Sequence, residues 1–233
     1  MQPRERINLQ PAFVLHSREY RDTSRILDVF TASHGRLTLF ARGARGPKSK
    51  LASLLMPFRP LLVSWSGRGD AAQLTGAEPQ GELAPLPARQ VLSGFYLNEL
   101  ILTLTTRHDP QPQLFEDYAE ALRRLAADTA PERALRVFEK RLLAGLGYGL
   151  EFSVDARMHY QFRIGQGLAE VREDAPGAYS GRCLLALQEE DLRDPESLDV
   201  ARRVLRQALD QCLEGRELRT RTVARSMSRR GNP

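Results

Sequence analysis

Hydrophobic and polar positions alternate over short runs in the first third of the chain, as they do in strands that bury one face. Five such runs are rich in β-branched and aromatic residues, and turns that contain glycine or polar residues separate them. They cover residues 12–17, 25–31, 36–42, 61–65 and 72–75. Five strands within so short a segment predict a small closed barrel, because closure removes exposed sheet edges.

One interruption of the strand pattern indicates the type of barrel. Residues 43–50 contain glycines and a proline and cannot continue a strand. Ser49 is suited to cap a short helix, Lys50 to Met56, which Pro57 ends. A barrel with a short helix after its third strand follows the plan of the OB-fold, although periodicity alone leaves an SH3-like barrel open.

The pattern changes to a helical period after a proline-containing stretch, residues 79–87, which predicts a domain boundary. Apolar stripes at three- and four-residue spacing predict helices over residues 91–106, 113–126, 131–146, 180–187 and 195–213. Residues 158–171 are expected to form a small hairpin. The predicted fold is therefore α+β. It comprises a five-stranded OB-fold β-barrel over residues 1–80 and an α-helical domain over residues 81–233 with a basic C-terminal tail.

The charge of the chain is unevenly distributed. Residues 1–80 carry a net charge of +6, residues 81–215 carry −6 and residues 216–233 carry +5. A segregated basic surface suggests a polyanionic partner, either nucleic acid or an acidic peptide. Solubility alone is the alternative explanation.

The third predicted strand carries a candidate nucleic-acid surface. Arg36, Phe40 and Arg42 face away from Leu37 and Leu39, which are expected in the core. An aromatic side chain between two arginines on one sheet face is the layout that single-stranded nucleic acid needs. A solvated strand with one exposed phenylalanine is the alternative.

The loop after this strand is a second candidate. It adds Arg45, Lys48 and Lys50, and its glycines let backbone amides approach a phosphate closely. The spacing of a nucleotide P-loop is missing, and an ordinary basic surface loop remains open. Both features together predict a DNA-binding surface.

Further along, Arg133, Arg136 and Lys140 are spaced three and four residues apart, so they share one helix face beside an apolar stripe. A cationic rim next to apolar side chains suits the end of an acidic, hydrophobic peptide. From spacing alone, a charged solvent face is slightly favoured.

Enzyme functions receive no support from the sequence. The four histidines are scattered, Cys183 and Cys212 have no metal-site spacing, and no nucleophile motif is present. Two acidic clusters, residues 116–120 and 189–191, are expected to be solvated helix faces. We therefore predict no catalytic site, no metal, no cofactor and no small-molecule substrate. Because no apolar stretch reaches 18 residues, we expect no membrane span. The two isolated cysteines and the polar start of the chain favour a reduced, cytoplasmic protein.

Linked short motifs over nearly the whole chain resemble the bacterial recombination mediator family RecO. The N-terminal half carries Phe13-Val-Leu-His-Ser-Arg18, Leu27-Asp-Val-Phe-Thr31, Gly43-Ala-Arg45, Pro57-Phe-Arg-Pro-Leu-Leu62 and Gly67-Arg-Gly69. The helical half carries Tyr96-Leu-Asn-Glu-Leu100, Leu135-Arg-Val-Phe-Glu139, Leu142-Leu-Ala-Gly-Leu-Gly-Tyr148 and Leu218-Arg-Thr-Arg221.

The resemblance implies a nucleoid-associated DNA repair protein. It implies binding to single- and double-stranded DNA, annealing of complementary strands, and partnership with RecR, with the C-terminal tail of SSB and, indirectly, with RecA. It also implies that Arg136 contacts the SSB tail. Residues 149–182 lack the four cysteines of the zinc module that some members carry. Two other hypotheses stay open at this point, a metal-dependent nuclease and an OB-type RNA-binding protein.

Overall fold

The computed structural model describes residues 6–45, 49–67, 69, 72–81, 84–127, 129–150, 153–163 and 167–230. The chain divides into two compact units. The first comprises Met1–Thr129 and Leu218–Pro233, and the second comprises Ala130–Glu217.

Five strands of the first unit close into a barrel. They are β1 (Arg6–Tyr20), β2 (Ser24–Thr31), β3 (Gly35–Ala41), β4 (Leu61–Ser66) and β5 (Gln73–Pro79). The hydrogen-bonded order around the barrel is β1-β2-β3-β5-β4, and only β3 and β5 pair in parallel. This order, with a helix between β3 and β4, is that of the OB-fold, so the prediction of the fold class is confirmed.

The apolar side chains that point inward from the five strands fill the barrel interior. Leu37, Leu39 and Ala41 of β3 are buried among these side chains, as the alternation predicts. A bulge between Val14 and His16 lets the long strand β1 bend, so that it pairs with both β2 and β4. Full burial of a leucine or valine side chain stabilises the fold by about 1.5–3 kcal/mol. The buried side chains of the barrel therefore form a hydrophobic core of their own.

A short helix, α1 (Lys50–Leu54), lies between β3 and β4 and ends two residues earlier than predicted. The predicted cap is wrong in one respect, since the Ser49 side chain makes no capping hydrogen bond. Ser49 instead has extended backbone, and its carbonyl accepts from the Ala52 amide at 3.1 Å. A backbone turn thus opens this helix without help from the hydroxyl.

Two helices that follow the barrel in sequence belong to the same unit. They are α2 (Val91–Leu104) and α3 (Pro112–Ala127), and both agree with prediction within about two residues. Phe13 of β1 and Phe30 of β2 pack against Phe115 and Tyr118 of α3 with ring centroids 5.1–6.3 Å apart. These helices therefore cover part of the outer surface of β1 and β2.

Two linked hydrogen bonds between buried groups hold α2 and α3 against β1. The Asn98 amide of α2 donates to the Leu15 carbonyl of β1 at 2.8 Å, and the Tyr118 hydroxyl donates to the Asn98 side-chain oxygen at 2.5 Å. Burial raises the pKa of Tyr118 far above its ordinary value, so the phenol stays a neutral donor. Each polar group in this apolar layer has a partner, which its burial requires.

The second unit contains three helices and a small sheet. Its helices are α4 (Pro131–Gly145), α5 (Gly181–Gln188) and α6 (Pro195–Leu213). The predicted hairpin is present as β6 (His159–Arg163) and β7 (Gly167–Val171), and a strand that was not predicted, β8 (Tyr179–Ser180), pairs with β6. Helix α6 begins with Asp194 as its cap, whose carboxylate accepts from the Ser197 amide at 3.0 Å.

The last helix, α7 (Arg219–Arg230), returns to the first unit, where it contacts α2. The compact units therefore differ from the predicted division at residue 80, because α2, α3 and the basic C-terminal segment are grouped with the barrel. The predicted tail is helical as far as Arg230. No described helix is long and apolar enough to cross a membrane.

Candidate nucleic-acid interface and peptide groove

The outer face of β1, β2 and β3 is covered at one end and open at the other. The register places Arg18 opposite Ile26, and Ile26 opposite Phe40, so these three side chains lie in one row across the sheet. Ile26 is buried, Phe40 is half-buried and Arg18 is exposed. The open end of this face is defined here as the barrel face: Arg18, Tyr20, Arg21, Phe40, Arg42 and Arg45.

Two aromatic rings stand at the centre of the barrel face. The rings of Tyr20 and Phe40 meet edge to face with centroids 5.6 Å apart, and the Arg21 guanidinium lies 5.2 Å from the Tyr20 ring. Arg21 begins the loop between β1 and β2, and the Phe40 amide donates to the carbonyl of Ala72 just before β5. The outer surface of strands β2 and β3, flanked by the β1–β2 and β4–β5 loops, is where OB-folds bind oligonucleotides.

Cations without intramolecular counter-charges border these rings. Arg18 and Arg42 are exposed, and neither forms an ion pair within the described part of the chain. Arg45 pairs with Glu19 at 2.8 Å, but both side chains are largely exposed, and such a pair contributes little and exchanges easily. The barrel face thus offers stacking surfaces together with guanidinium groups that can reach phosphates.

Arg36 has a different position from the one that alternation alone suggests. Its guanidinium donates to the Thr105 carbonyl at 2.8 Å and lies near the Thr105 hydroxyl. Burial and the neighbouring Arg107 lower the pKa of Arg36, while Asp28 acts in the opposite direction. Of the two arginines predicted to flank Phe40, only Arg42 therefore presents an unpaired head group.

The segment that holds Arg36 runs along the outer side of β3. The His108 amide donates to the Arg36 carbonyl at 2.9 Å, and the Arg107 guanidinium donates to the Thr38 hydroxyl at 2.8 Å. Gly35 is required here, because its φ is +63° and a Cβ atom would lie 2.1 Å from the Asp109 carbonyl oxygen. This segment therefore limits the barrel face on one side.

Two lysines were also predicted to belong to this surface, and the structure describes only the backbone of one of them. Lys48 lies outside the described residues. Lys50 is the first residue of α1, and its side chain also lies outside the description. Their contribution to DNA binding stays a prediction.

Three residues of the barrel face were missed by the sequence analysis, namely Arg18, Tyr20 and Arg21. The first predicted strand stopped at Ser17, whereas β1 continues to Tyr20. Past the bulge, Arg18 and Tyr20 are two positions apart, so extending the alternation would have placed them on one face. Arg107 could not have been found this way, because its contact with Thr38 joins residues 69 positions apart.

The predicted cationic face of α4 is largely occupied by internal contacts. The Arg133 guanidinium donates to the Glu190 carbonyl at 3.1 Å. The Lys140 amine donates to the Gln188 carbonyl at 2.6 Å and pairs with the Glu190 carboxylate at 3.2 Å. Both cations therefore bind and stabilise the turn after α5.

This turn also corrects the expectation that residues 189–191 are a solvated helix face. They follow the end of α5, and Glu190 has a φ of +59° and accepts from Lys140 and Arg141. Burial tends to raise the pKa of Glu190, but hydrogen bonds and charges from Arg141 and Lys140 outweigh it, so the net shift is downward. Glu190 is thus the internal anion that the α4 cations face.

Arg136 is the exception on α4. It lines a groove of about 380 Å³ together with Leu135, Leu198, Arg202 and other residues of α4 and α6. Its side chain is 12% exposed and pairs with the buried Glu139 at 2.7 Å. Its Nε, like that of Arg133, is buried and has no hydrogen-bond partner, so the position of Arg136 in the groove is what distinguishes it. A guanidinium at the edge of an apolar groove suits a ligand that brings both a carboxylate and an apolar group.

One possible metal-binding group occurs among the described residues. The ligand atoms of Cys183, Asp194 and Glu196 lie within 4.8 Å of one another. The Asp194 carboxylate already caps α6, and Arg182 pairs with Glu196 at 2.6 Å. These internal partners account for the carboxylates without an ion.

Comparisons with known proteins cover almost the whole chain. Residues 6–81 match the family model described as recombination protein O N terminal, and residues 89–222 match recombination protein O C terminal. A DNA repair protein RecO of Dechloromonas aromatica is 41% identical over 97% of this chain and 99% of its own length. The RecO of Methylococcus capsulatus is 41% identical over 96% of this chain and 95% of its own length. The RecO of Paraburkholderia xenovorans is 40% identical over 94% of this chain and 76% of its own length. The resemblance seen in the motifs is confirmed, and the chain belongs to the RecO family of DNA repair proteins.

Proposed function

We propose that this protein is a recombination mediator without a catalytic role. It binds single- and double-stranded DNA and anneals complementary strands. Together with RecR, it helps to load RecA onto single strands covered by SSB. Family membership supports the general role in DNA repair, and the geometry of the two units supports a division of labour between DNA binding and partner binding.

The observation that carries the DNA-binding part is the barrel face. It combines the Tyr20 and Phe40 rings with the unpaired cations Arg18 and Arg42 on the surface that OB-folds use for oligonucleotides. Stacking on the rings is tolerant of sequence because every base has a π-face, and the arginines attract phosphates of any sequence. We therefore propose binding that is electrostatic and sequence-tolerant.

The partner-binding part rests on the groove beside Arg136. An acidic peptide that ends in a bulky apolar residue can place its carboxylate at the exposed part of the Arg136 guanidinium and its side chain between Leu135 and Leu198. The C-terminal tail of SSB has this chemistry. Arg202, which is largely exposed, also lines the groove and pairs there with Asp199 at 2.9 Å, whereas Arg133 and Lys140 hold the Glu190 turn.

The decisive experiment is salt-dependent binding of a labelled single strand, measured by fluorescence anisotropy with and without an SSB tail peptide. The logarithm of the affinity should fall linearly with the logarithm of salt concentration, with a slope of about −0.7 per phosphate neutralised. Saturating peptide should leave the affinity for free DNA unchanged, because the groove and the barrel face belong to different units. An affinity that does not respond to salt contradicts the proposed mode of binding.

Two further measurements separate this function from the alternatives. An RNA strand of the same sequence should compete no better than DNA, since stacking is alike and no described feature selects a 2′-hydroxyl. Incubation of labelled DNA with Mg²⁺ or Mn²⁺ should leave it intact. Cleavage that depends on the protein and the metal would favour the nuclease hypothesis and would direct attention to Cys183, Asp194 and Glu196.

A further inference from the structure

Helix α7, which ends the described chain, is an exposed cationic element of the barrel unit. Residues 219–230 contain five arginines and no acid. Every side chain from Thr222 to Met227 is exposed, including the apolar Val223 and Met227. Neither Arg219 nor Arg225 forms an ion pair with an acid among the residues that the structure describes.

The helix is held mainly at its beginning. The Glu99 carboxylate of α2 accepts from the backbone amides of Arg219 and Thr220 at 2.7 and 2.9 Å, and from the Thr220 hydroxyl at 2.5 Å. The Arg221 guanidinium lies 5.9 Å from the Tyr96 ring of α2. Glu99 thus supplies a cap from another helix, while the side chains of residues 222–227 are exposed.

Such a helix is electrostatically unfavourable by itself. Arg219 and Arg221 lie at the helix N-terminus, where the macrodipole disfavours positive charge. Arg221 and Arg225 are four residues apart, a spacing at which like charges destabilise a helix. A helix of 12 residues gains little from propensity alone and normally depends on burying an apolar face. A neutralising polyanion would remove these costs.

We propose that α7 is a second phosphate-binding element, which holds the backbone of a second nucleic-acid strand while the barrel face holds the first. This inference rests on the proposed DNA-binding function. Residues 219–233 contain no aromatic residue, so α7 cannot stack bases and should bind through phosphates alone. The unit that contains the barrel then has two nucleic-acid sites. The barrel face stacks on unpaired bases, and α7 binds phosphates through charge alone.

A strand-bridging assay tests the proposal. An oligonucleotide is immobilised, the protein is bound to it, and retention of a second labelled strand that is not complementary to the first is measured against salt. The wild-type protein should retain the second strand. In Arg219→Gln/Arg225→Gln, the log–log salt dependence of retention should become shallower by about 1–2 units, since each lost phosphate contact removes about 0.7. Binding of the first strand should persist through the barrel face.

A matched control uses two exposed arginines elsewhere, Arg157→Gln/Arg172→Gln. Both pair with neighbouring acids, Asp155 and Asp174, so the charge removed is the same but no unpaired cation is lost. This control variant should bridge strands as the wild type does. A thermal melt should show that both double variants stay folded, because the substituted side chains are exposed.

The outcomes distinguish this inference from the function on which it rests. If the wild type binds no single strand at all, the proposed DNA binding fails. If it binds one strand, and the α7 variant retains the second as well as the wild type does, the inference is wrong. Bridging by a protein dimer through two barrel faces would produce that second result. Binding of α7 to phosphatidylserine vesicles, with no effect of the α7 variant on bridging, would also overturn the inference in favour of a membrane surface.

Discussion

The barrel face and the cationic face of α4 show the same pattern in the sequence, but their cations differ in whether they have partners within the protein. Each gathers arginines or lysines next to apolar or aromatic side chains. On the barrel face, Arg18 and Arg42 form no ion pair with any acid that the structure describes. On α4, Arg133 and Lys140 are bound to the Glu190 turn, which lies about 50 positions further along the chain.

The difference teaches that charge clustering alone does not identify a binding surface. What matters is whether a distant acid or carbonyl has already satisfied the cations. Arg136 differs from Arg133 within the same helix, because it pairs with Glu139 and also lines the groove between α4 and α6. A binding surface is indicated by cations that stay accessible after intramolecular contacts have been counted.

The largest expected effect concerns Arg136. Replacing it alone would remove the Arg136 guanidinium from the buried Glu139 carboxylate, which would destabilise the fold and obscure the effect on peptide binding. The double variant Arg136→Gln/Glu139→Gln removes both charges and allows an amide pair. It should weaken the SSB tail peptide about tenfold or more, since a charge-assisted hydrogen bond contributes roughly 1.5–3 kcal/mol. Anisotropy of a labelled peptide measures this. Glu139→Gln alone keeps the Arg136 charge and should retain the peptide, and equal loss in both variants would move the site elsewhere.

The next effect concerns Phe40. Phe40→Ala should weaken binding of single strands by about 1–3 kcal/mol and should affect duplex DNA much less, because stacking needs an unpaired base. Anisotropy titrations on both substrates check this difference. Tyr148→Ala serves as the control, since Tyr148 is an aromatic residue of the other unit and is 51% exposed. Equal losses on single strands and duplex would mean that Phe40 supports the barrel through its contact with Tyr20.

A third test compares the loss of two cations from the barrel face with the loss of two cations from α4. Arg18→Gln/Arg42→Gln should make the salt slope of single-strand binding shallower by about 1–2 units and leave the melting temperature unchanged. Arg133→Gln/Lys140→Gln should do the opposite, keeping the slope and lowering the free energy of unfolding by about 1 kcal/mol for each cation, because partly buried contacts are lost. An equal change of slope in both variants would remove the contrast.

The smallest effect depends on pH. The pKa of Glu190 is lowered in the folded state, so its ion pairs stabilise the second unit above the ordinary glutamate pKa, and this contribution is lost as the pH falls through the lowered value. Glu190→Gln should therefore cost about 1 kcal/mol at neutral pH, because solvent screens the pair in part. Thermal melts should show that the difference from wild type disappears in acid. A constant difference at every pH would assign the loss to packing.

Most of the fold could be predicted from the sequence because periodicity reports which face of an element is buried. The alternation of Leu37, Leu39 and Ala41 placed the barrel core, and α6 was predicted at its observed limits. The end of β1 was missed because the bulge near His16 changes the alternation just before Arg18 and Tyr20.

The candidate sites were less predictable, since they depend on contacts between distant residues. Thr105, which holds Arg36, is 69 positions away from it in the chain. Glu139 reads as a solvated helix residue, yet it is 1% exposed and pairs with Arg136. Spacing identifies which side chains share a face, but it gives no information on what a separate helix or turn places against that face.

The grouping of α7 with the barrel bears on the order in which the protein folds during synthesis. The second unit is one continuous segment, Ala130–Glu217, inserted between the two parts of the first. Because the ribosome delivers the chain from its N-terminus, this inserted unit is complete while the unit that began first still lacks its final helix. Glu99 stays without the amides of Arg219 and Thr220 until these two residues have left the ribosome. We expect the unit that starts folding first to be the last to finish.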